Sequence, residues 1–181
     1  MILGGTGSVP SFPNPGRHGG RPSEEMNERD GRKHPVHLPP IGELDVPTII
    51  FVTVCTKDRK PLLASDAAHE RVMNAWRAAE QWLVGRYVIM PDHVHLFCAP
   101  AASEAPPLED WIRFWKSHVA RHWNDPAQMP LWQRHFWDRE LRRQENYDAK
   151  WDYVFHNPVR AGLVSTAAHR PYAGEINELR W

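Results

Sequence analysis

Three features are scarce in this sequence, and each scarcity excludes a class of protein. Only Cys55 and Cys98 are cysteines among 181 residues, which excludes a disulfide-stabilised scaffold and favours two buried thiols in a reducing compartment. No apolar run is long enough to span a bilayer, and the N-terminus has no signal-peptide pattern. Acidic and basic residues balance at 22 each, so bulk charge cannot coat a nucleic-acid duplex, although a local basic groove is compatible with it. These features predict a cytoplasmic protein with no membrane partner.

Apolar patterning is also scarce at the start of the chain. Residues 1–47 contain most of the glycines and nearly half of the prolines, with no periodic apolar residues. Such a segment buries too little surface to offset the conformational entropy lost on ordering. We therefore predict a disordered Pro/Gly-rich leader over 1–47 and a single domain of ordinary size over 48–181.

The rest of the chain alternates between strand-like and helix-like apolar periods. The order of elements predicts an α+β fold, a ferredoxin-like antiparallel sheet with helices packed on it. In the second predicted helix, Trp111 and Trp115 recur at helical spacing, which favours a place in the core over a base-stacking surface. The predicted elements are a strand over 48–56, a helix from Ser65 or Asp66 to about Leu83, a hairpin over 87–98, a helix from Leu108 to about Trp123, an extended stretch over 131–138, a helix over 146–157 ended by Pro158, and loosely packed residues 160–181.

Two histidines lie on the outgoing strand of the predicted hairpin. Pro91-Asp92 suits the central positions of a turn, and alternation along the strand then puts His93 and His95 on one face. Two imidazoles at this spacing form half of a metal site, and they are costly to bury without a purpose. The residues alone leave a structural role and a metal-binding role open.

The last predicted helix carries two tyrosines on different sides. At about 100° per residue, Tyr153 lies away from the apolar side and next to Lys150 and Asn157. Taken alone, Tyr153 is an ordinary half-exposed aromatic residue. The side expected to face the core comprises Tyr147, Trp151, Val154 and Phe155.

These features together resemble the single-tyrosine HUH transposases, and most of all the REP-associated tyrosine transposases of bacteria. Three segments carry the resemblance in order, MPDHVHLF, LWQRHFWDRELR and WDYVFHNPVRAGLV, within a similarity that runs from about Ile49 to Val164. The departures are the leader and His135, where relatives often have glycine. The histidine pair alone is weak as a signature, whereas all three segments in this order are specific.

The resemblance implies an enzyme that nicks and joins single-stranded DNA. His93, His95 and Asn157 would hold Mg²⁺ or Mn²⁺, which acts as a Lewis acid on the scissile phosphate. Tyr153 would be the nucleophile and would form a 5′-phosphotyrosine intermediate.

Other residues receive supporting roles from the same resemblance. A free tyrosine has a pKa of about 10, so activation by the metal or by Lys150 is expected. Asp92 either orients a histidine or only fills the turn. The candidate DNA-binding residues, which would otherwise form a solvated basic surface, are Arg134, Arg139, Arg142 and Arg143.

The expected partner is single-stranded or hairpin DNA of the REP type, bound by a monomer or a homodimer. Two alternatives stay open. One is a non-catalytic relative with the same fold that binds DNA hairpins. The other is a metal-dependent hydrolase of small substrates, although the chain is short for the barrel that such enzymes usually need.

Overall fold

A computed structural model describes residues 48–141 and 144–180 of the chain. The predicted leader over 1–47 lies outside the described residues. No described helix is long and apolar enough to cross a membrane. The elements are β1 (Ile49–Cys55), α1 (Asp66–Ala78), β2 (Trp82–Ile89), β3 (His93–Pro100), α2 (Leu108–Arg121), β4 (Trp137–Leu141), α3 (Gln144–Phe155), α4 (Asn157–Arg160) and β5 (Ala173–Glu175).

The strands form one five-stranded antiparallel sheet in the order β4-β1-β3-β2-β5. The first four strands of that order follow the ferredoxin-like arrangement, and β5 extends it at the β2 edge. β1 is fully buried and apolar except for Thr53, as expected for an interior strand that is covered on both faces. The predicted α+β, ferredoxin-like fold is therefore confirmed.

One face of the sheet is covered by α1 and α2. Alternate residues of β1 and β3, such as Val52 and Leu96, pack there against a group of tryptophans. Trp111 and Trp115 are both buried, so the prediction that they belong to the core is confirmed. We call this side the α1–α2 face.

The opposite face of the sheet is covered by α3. The other alternate residues of the same strands point there, and Phe51 and Phe97 pack against Tyr147 and Val154 of the helix. Because the period of a strand is two residues, His93 and His95 also belong to this side. We call it the α3 face.

The predicted end of the first helix is wrong. α1 stops at Ala78, and Trp82 begins β2 instead of continuing the helix. Burial alternates over 82–84 as expected of a strand, and the Trp82 side chain stacks on Trp111. Trp82 is buried in both interpretations, so its position could not distinguish them.

The last predicted helix is shifted and split. α3 covers 144–155, and α4 starts at Asn157 after a turn at His156. Pro158 does not end the helical path, because it occupies the first turn of α4, where its missing N–H costs no hydrogen bond. Asn157 is therefore the first residue of the next short helix and does not lie on the same helix as Tyr153.

The C-terminal segment is also packed more tightly than expected. β5 pairs with β2, and the N–H of Asn177 donates to the carbonyl of Val84 at 3.1 Å. Leu179 is buried against Gly85, where an added Cβ would lie 2.6 Å from the leucine side chain. The absence of a side chain at Gly85 permits this close approach.

Candidate active site

His93 and His95 face each other on the α3 face, as predicted. Their Nε2 atoms are 3.1 Å apart, and their rings meet at 82°. The rigid strand β3, held between β1 and β2, sets this separation.

Each imidazole is oriented through its other ring nitrogen. Nδ1 of His93 lies 2.6 Å from Oδ1 of Asp92, and Nδ1 of His95 lies 2.8 Å from Oγ1 of Thr53. When Nδ1 carries the proton and donates these bonds, both Nε2 lone pairs point into the space between the rings. Asp92 therefore orients His93, and Thr53, which sequence reasoning missed, does the same for His95.

The charges around the pair favour a neutral His95 beside an ionised Asp92. Burial is the main cause that lowers the pKa of His95 well below its usual value, and the charges of His93 and Lys150 add to it. Burial opposes ionisation of Asp92, but the hydrogen bond and charge of His93 and the charge of Arg59 outweigh it, so the pKa of Asp92 is lowered. A neutral imidazole that is held in one orientation through its Nδ1 is the form that binds a metal through Nε2.

The two Nε2 atoms fit a divalent cation. Adjacent ligands of an octahedral ion with bonds of about 2.1 Å lie about 3.0 Å apart, which agrees with the observed 3.1 Å. Among residues 48–141 and 144–180, no group of three or more histidine, cysteine, aspartate or glutamate residues could hold a metal. Any third protein ligand among these residues would therefore have to be a residue of another type. The sequence suggests Asn157, through the oxygen of its side-chain amide.

Tyr153 is exposed and flanked by two cations. Its side chain is 52% exposed. Nζ of Lys150 lies 5.2 Å from the centre of its ring, and Cζ of Arg160 lies 4.1 Å from it. The predicted proximity of Lys150 and Tyr153 is confirmed.

The other three tyrosines of the chain are held in the fold. Tyr147 is buried, and burial above all raises its pKa to about 12. Burial also raises the pKa of Tyr87, whose hydroxyl is 3.0 Å from Nε2 of His69. Tyr172 donates a hydrogen bond to Asp66 at 3.0 Å, and desolvation together with this bond raises its pKa. Tyr153 is thus the tyrosine whose position suits contact with a substrate.

Lys150 connects the tyrosine to the histidine pair. Its Nζ lies 4.7 Å from the ring centre of Phe51, and Phe51 stacks on His95 with 5.4 Å between ring centres. A chain of contacts therefore runs from the ring of Tyr153 through Lys150 and Phe51 to the ring of His95.

Asn157 is linked to Tyr153 through Arg160. The Nη2 group of Arg160 donates to the backbone carbonyl of Tyr153 and to Oδ1 of Asn157. The charge of Arg160 is also one of the causes that lower the pKa of His95. Arg160 was not predicted from sequence, because its contacts depend on the turn at His156 between the two helices.

The predicted DNA-binding arginines are not all brought together. Arg139 lies on β4 opposite Phe51 of β1, so it shares the α3 face with the histidines. Arg134 is exposed in the loop before β4, where its carbonyl accepts a bond from Lys116. Arg142 and Arg143 lie outside the described residues.

Relatives of known family share both the sequence and the fold. A REP-associated tyrosine transposase of Escherichia coli K12 is 24% identical over 90 residues, which span 50% of this chain and 52% of that protein. A Haemophilus influenzae protein provisionally named as a REP-associated tyrosine transposase is 25% identical over 147 residues, or 69% of this chain and 78% of its own. The solved structure of a REP-associated tyrosine transposase bound to a REP hairpin aligns with a TM-score of 0.58 at 19% identity, over 73% of this chain and 78% of that one.

The family assignment rests on more than half of the chain. Residues 48–149 match the model of the IS200-like transposases, a range that includes the histidine pair and stops before Tyr153. The solved structure adds agreement of the fold. The chain therefore belongs to the family of IS200-like transposases, with the transposase-like function on DNA that this membership carries.

Proposed function

We propose that the protein nicks and joins single-stranded DNA at hairpin elements of the REP type, through a covalent tyrosine intermediate and with a divalent metal. One observation carries the proposal. The α3 face holds both the oriented histidine pair and Tyr153, and contacts of Lys150 and Phe51 link the two. A nucleophile and a cation-binding pair on one surface are what phosphoryl transfer to tyrosine requires.

His93 and His95, with Asn157 as a third ligand, would hold Mg²⁺ or Mn²⁺. Such an ion, when bound, would supply a Lewis acid that withdraws charge from the scissile phosphate. Asp92 and Thr53 contribute by keeping the two Nε2 lone pairs directed at one point.

Tyr153 provides the attacking oxygen. Its phenol gives its proton to solvent water, and Lys150 and Arg160, which lie against its ring, carry positive charge that offsets the negative charge of the incoming phosphate. The phenolate oxygen forms a bond to phosphorus while the bond from phosphorus to the 3′ oxygen breaks. The leaving oxygen takes a proton and becomes a free 3′-hydroxyl. The 5′-phosphotyrosine retains the phosphodiester energy, so a 3′-hydroxyl can later displace the tyrosine and rejoin the strand.

The nucleophile is tested by a pair of matched substitutions. Tyr153→Phe removes one exposed oxygen and almost no packing volume, so the variant should fold and bind a labelled hairpin but form no covalent adduct on a denaturing gel. Tyr147→Phe is the control, since its hydroxyl is buried, and it should form adduct as the wild type does. Adduct that persists in Tyr153→Phe, or that disappears only in Tyr147→Phe, would contradict the assignment.

A non-catalytic hairpin-binding protein is the second candidate. One contact favours it, because Oδ1 of Asn157 is engaged by Arg160 and not by the histidine pair. Such a protein would bind the hairpin with wild-type Tyr153 present and give no adduct in Mg²⁺ or Mn²⁺.

The form of the DNA gives a further prediction. We expect cleavage to require unpaired DNA at the scissile bond, because zero net charge offers little to hold a plain duplex and aromatic side chains suit unstacked bases. Nicking of a hairpin with a single-stranded flank should be compared with nicking of a fully paired linear duplex of the same sequence. Equal rates on the two substrates would refute this part of the proposal.

A further inference from the structure

The turn after β1 contains two residues in a left-handed conformation. Asp58 and Arg59 have φ values of 55° and 54°, in a region that costs most L-residues about 1 kcal/mol or more. Asparagine, aspartate and glycine enter it readily, whereas arginine does so rarely. The backbone conformation at position 59 is therefore unfavourable for arginine, so any benefit of an arginine there must come from the contacts of its side chain.

The side chain of Arg59 is directed at the candidate active site. Its Nε lies 2.7 Å from Oδ2 of Asp92, and its Nη1 lies 2.8 Å from the Sγ of Cys55. The other oxygen of the same carboxylate, Oδ1, holds Nδ1 of His93 at 2.6 Å. Asp92 thus has one oxygen on the arginine and one on the histidine.

The turn does not need Arg59 to close. Thr56 is fully buried, and its N–H and hydroxyl donate to the carbonyl of Asp92 at 2.9 and 3.0 Å. The same hydroxyl lies 2.8 Å from the carbonyl of Lys60. These backbone contacts already join the turn to the start of β3, so the ion pair is not required for that purpose.

We infer that Arg59 is a positioning residue for His93. By fixing the carboxylate of Asp92, it keeps the proton of His93 on Nδ1 and directs the Nε2 lone pair toward His95. This inference rests on the proposed function, because it assigns to His93 the role of a metal ligand. It adds a residue that acts on His93 through Asp92.

The test measures metal binding and the histidine tautomer without cleavage. In a Tyr153→Phe background, Mn²⁺ affinity is measured by electron paramagnetic resonance for the parent and for Arg59→Gln. We expect the dissociation constant to rise about tenfold. In the metal-free protein, ¹⁵N NMR should show the proton of His93 on Nδ1 in the parent and a mixture of tautomers in Arg59→Gln.

Three further variants separate positioning from loss of charge or loss of fold. Arg113→Gln removes an arginine that pairs with Asp110 at 2.9 Å on α2, and it should leave both readouts unchanged. Arg59→Lys keeps a charge that can reach Asp92 and should restore part of the affinity. Arg59→Gly suits the left-handed backbone, so it should fold and still bind Mn²⁺ as weakly as Arg59→Gln.

The route through Asp92 is tested by a double-mutant cycle. If Arg59 acts through that carboxylate, Arg59→Gln should cost little more affinity once Asp92→Asn is present. Full additivity, or parental affinity and tautomer in Arg59→Gln, would overturn the inference while leaving the proposed function intact. Failure of the parent to bind Mn²⁺ in a way that depends on His93 and His95 would instead refute the metal site itself, and this inference with it.

Discussion

The two faces of the sheet are built from the same strands but tolerate different chemistry. On the α1–α2 face, alternate residues such as Val94 and Leu96 pack against apolar side chains, and indole N–H groups such as that of Trp111 donate to nearby carbonyls. On the α3 face, the neighbouring residues His93 and His95 bring four polar ring nitrogens into a partly buried space. Burying such groups costs free energy unless each finds a partner.

The two faces contribute differently, one mainly to the stability of the fold and the other to the chemistry of the candidate site. The α1–α2 face carries the larger tryptophan cluster and most of the buried apolar residues of the fold. The α3 face carries a smaller apolar cluster together with Thr53, Lys150 and the histidines. Substitutions of the tryptophans on the first face should therefore change the free energy of unfolding, and those of the polar site residues on the second should change activity.

The largest effect is expected from the histidines. His93→Ala and His95→Ala should each lower cleavage of single-stranded DNA by about 10³-fold, because loss of a Lewis acid removes several kcal/mol of transition-state stabilisation. The free energy of unfolding, measured in urea, should change by less than about 2 kcal/mol. If both variants nick DNA at the normal rate in magnesium, the metal site lies elsewhere.

The converse effect is expected on the α1–α2 face. Trp115 is fully buried and meets the rings of Trp76, Trp111 and Trp132. Trp115→Ala should lower the free energy of unfolding by about 3–5 kcal/mol, because it leaves a large cavity. At a temperature where the variant is folded, its rate of adduct formation per folded molecule should be that of the wild type. A large loss of rate with little loss of stability would erase the contrast between the faces.

Much of the fold was predictable because its central strands have a clear pattern. β1 is apolar except for Thr53, β3 is apolar except for its two histidines, and alternation correctly assigned His93 and His95 to one face. β5 was missed, because three residues without an apolar pattern carry no strand signal and their pairing with β2 is a tertiary contact. The end of α1 was misplaced, because Trp82 satisfies both the helical and the strand period.

The site divides in the same way between local pattern and tertiary contact. Tyr153 could be assigned to the exposed side of its helix from spacing alone. Thr53 could not be assigned, because its bond to His95 depends on the register of β1 against β3. Arg59 and Arg160 depend on a left-handed turn and on a change of direction at His156. Neither conformation follows from a periodic pattern.

Lys116 is a partly buried charged residue on the otherwise apolar α1–α2 side. Its replacement should have the smallest effect on the free energy of unfolding at neutral pH. Its Nζ donates to the carbonyls of Gln133 and Arg134 at 2.6 and 3.2 Å, and burial lowers its pKa from 10.5 to about 8. Lys116→Met removes a partly buried charge and also two hydrogen bonds of about 1 kcal/mol each. These opposing changes should keep the net effect near pH 7 within about 1 kcal/mol.

The pH dependence of this variant is the sharper measurement. Below about pH 8 the folded and unfolded chains both hold the proton on Lys116, and above about pH 10.5 neither does. Between these values the unfolded chain binds more protons, so this lysine makes the free energy of unfolding rise with pH. Urea titrations of the wild type and of Lys116→Met should diverge across that window, with the wild type gaining stability relative to the variant. Lys60→Met, at an exposed position, controls for the loss of one charge. If the difference in the free energy of unfolding between the wild type and Lys116→Met stayed constant from pH 7 to pH 10, Lys116 would have the same pKa in the folded and unfolded chains. The α1–α2 side would then hold no buried charge at this position.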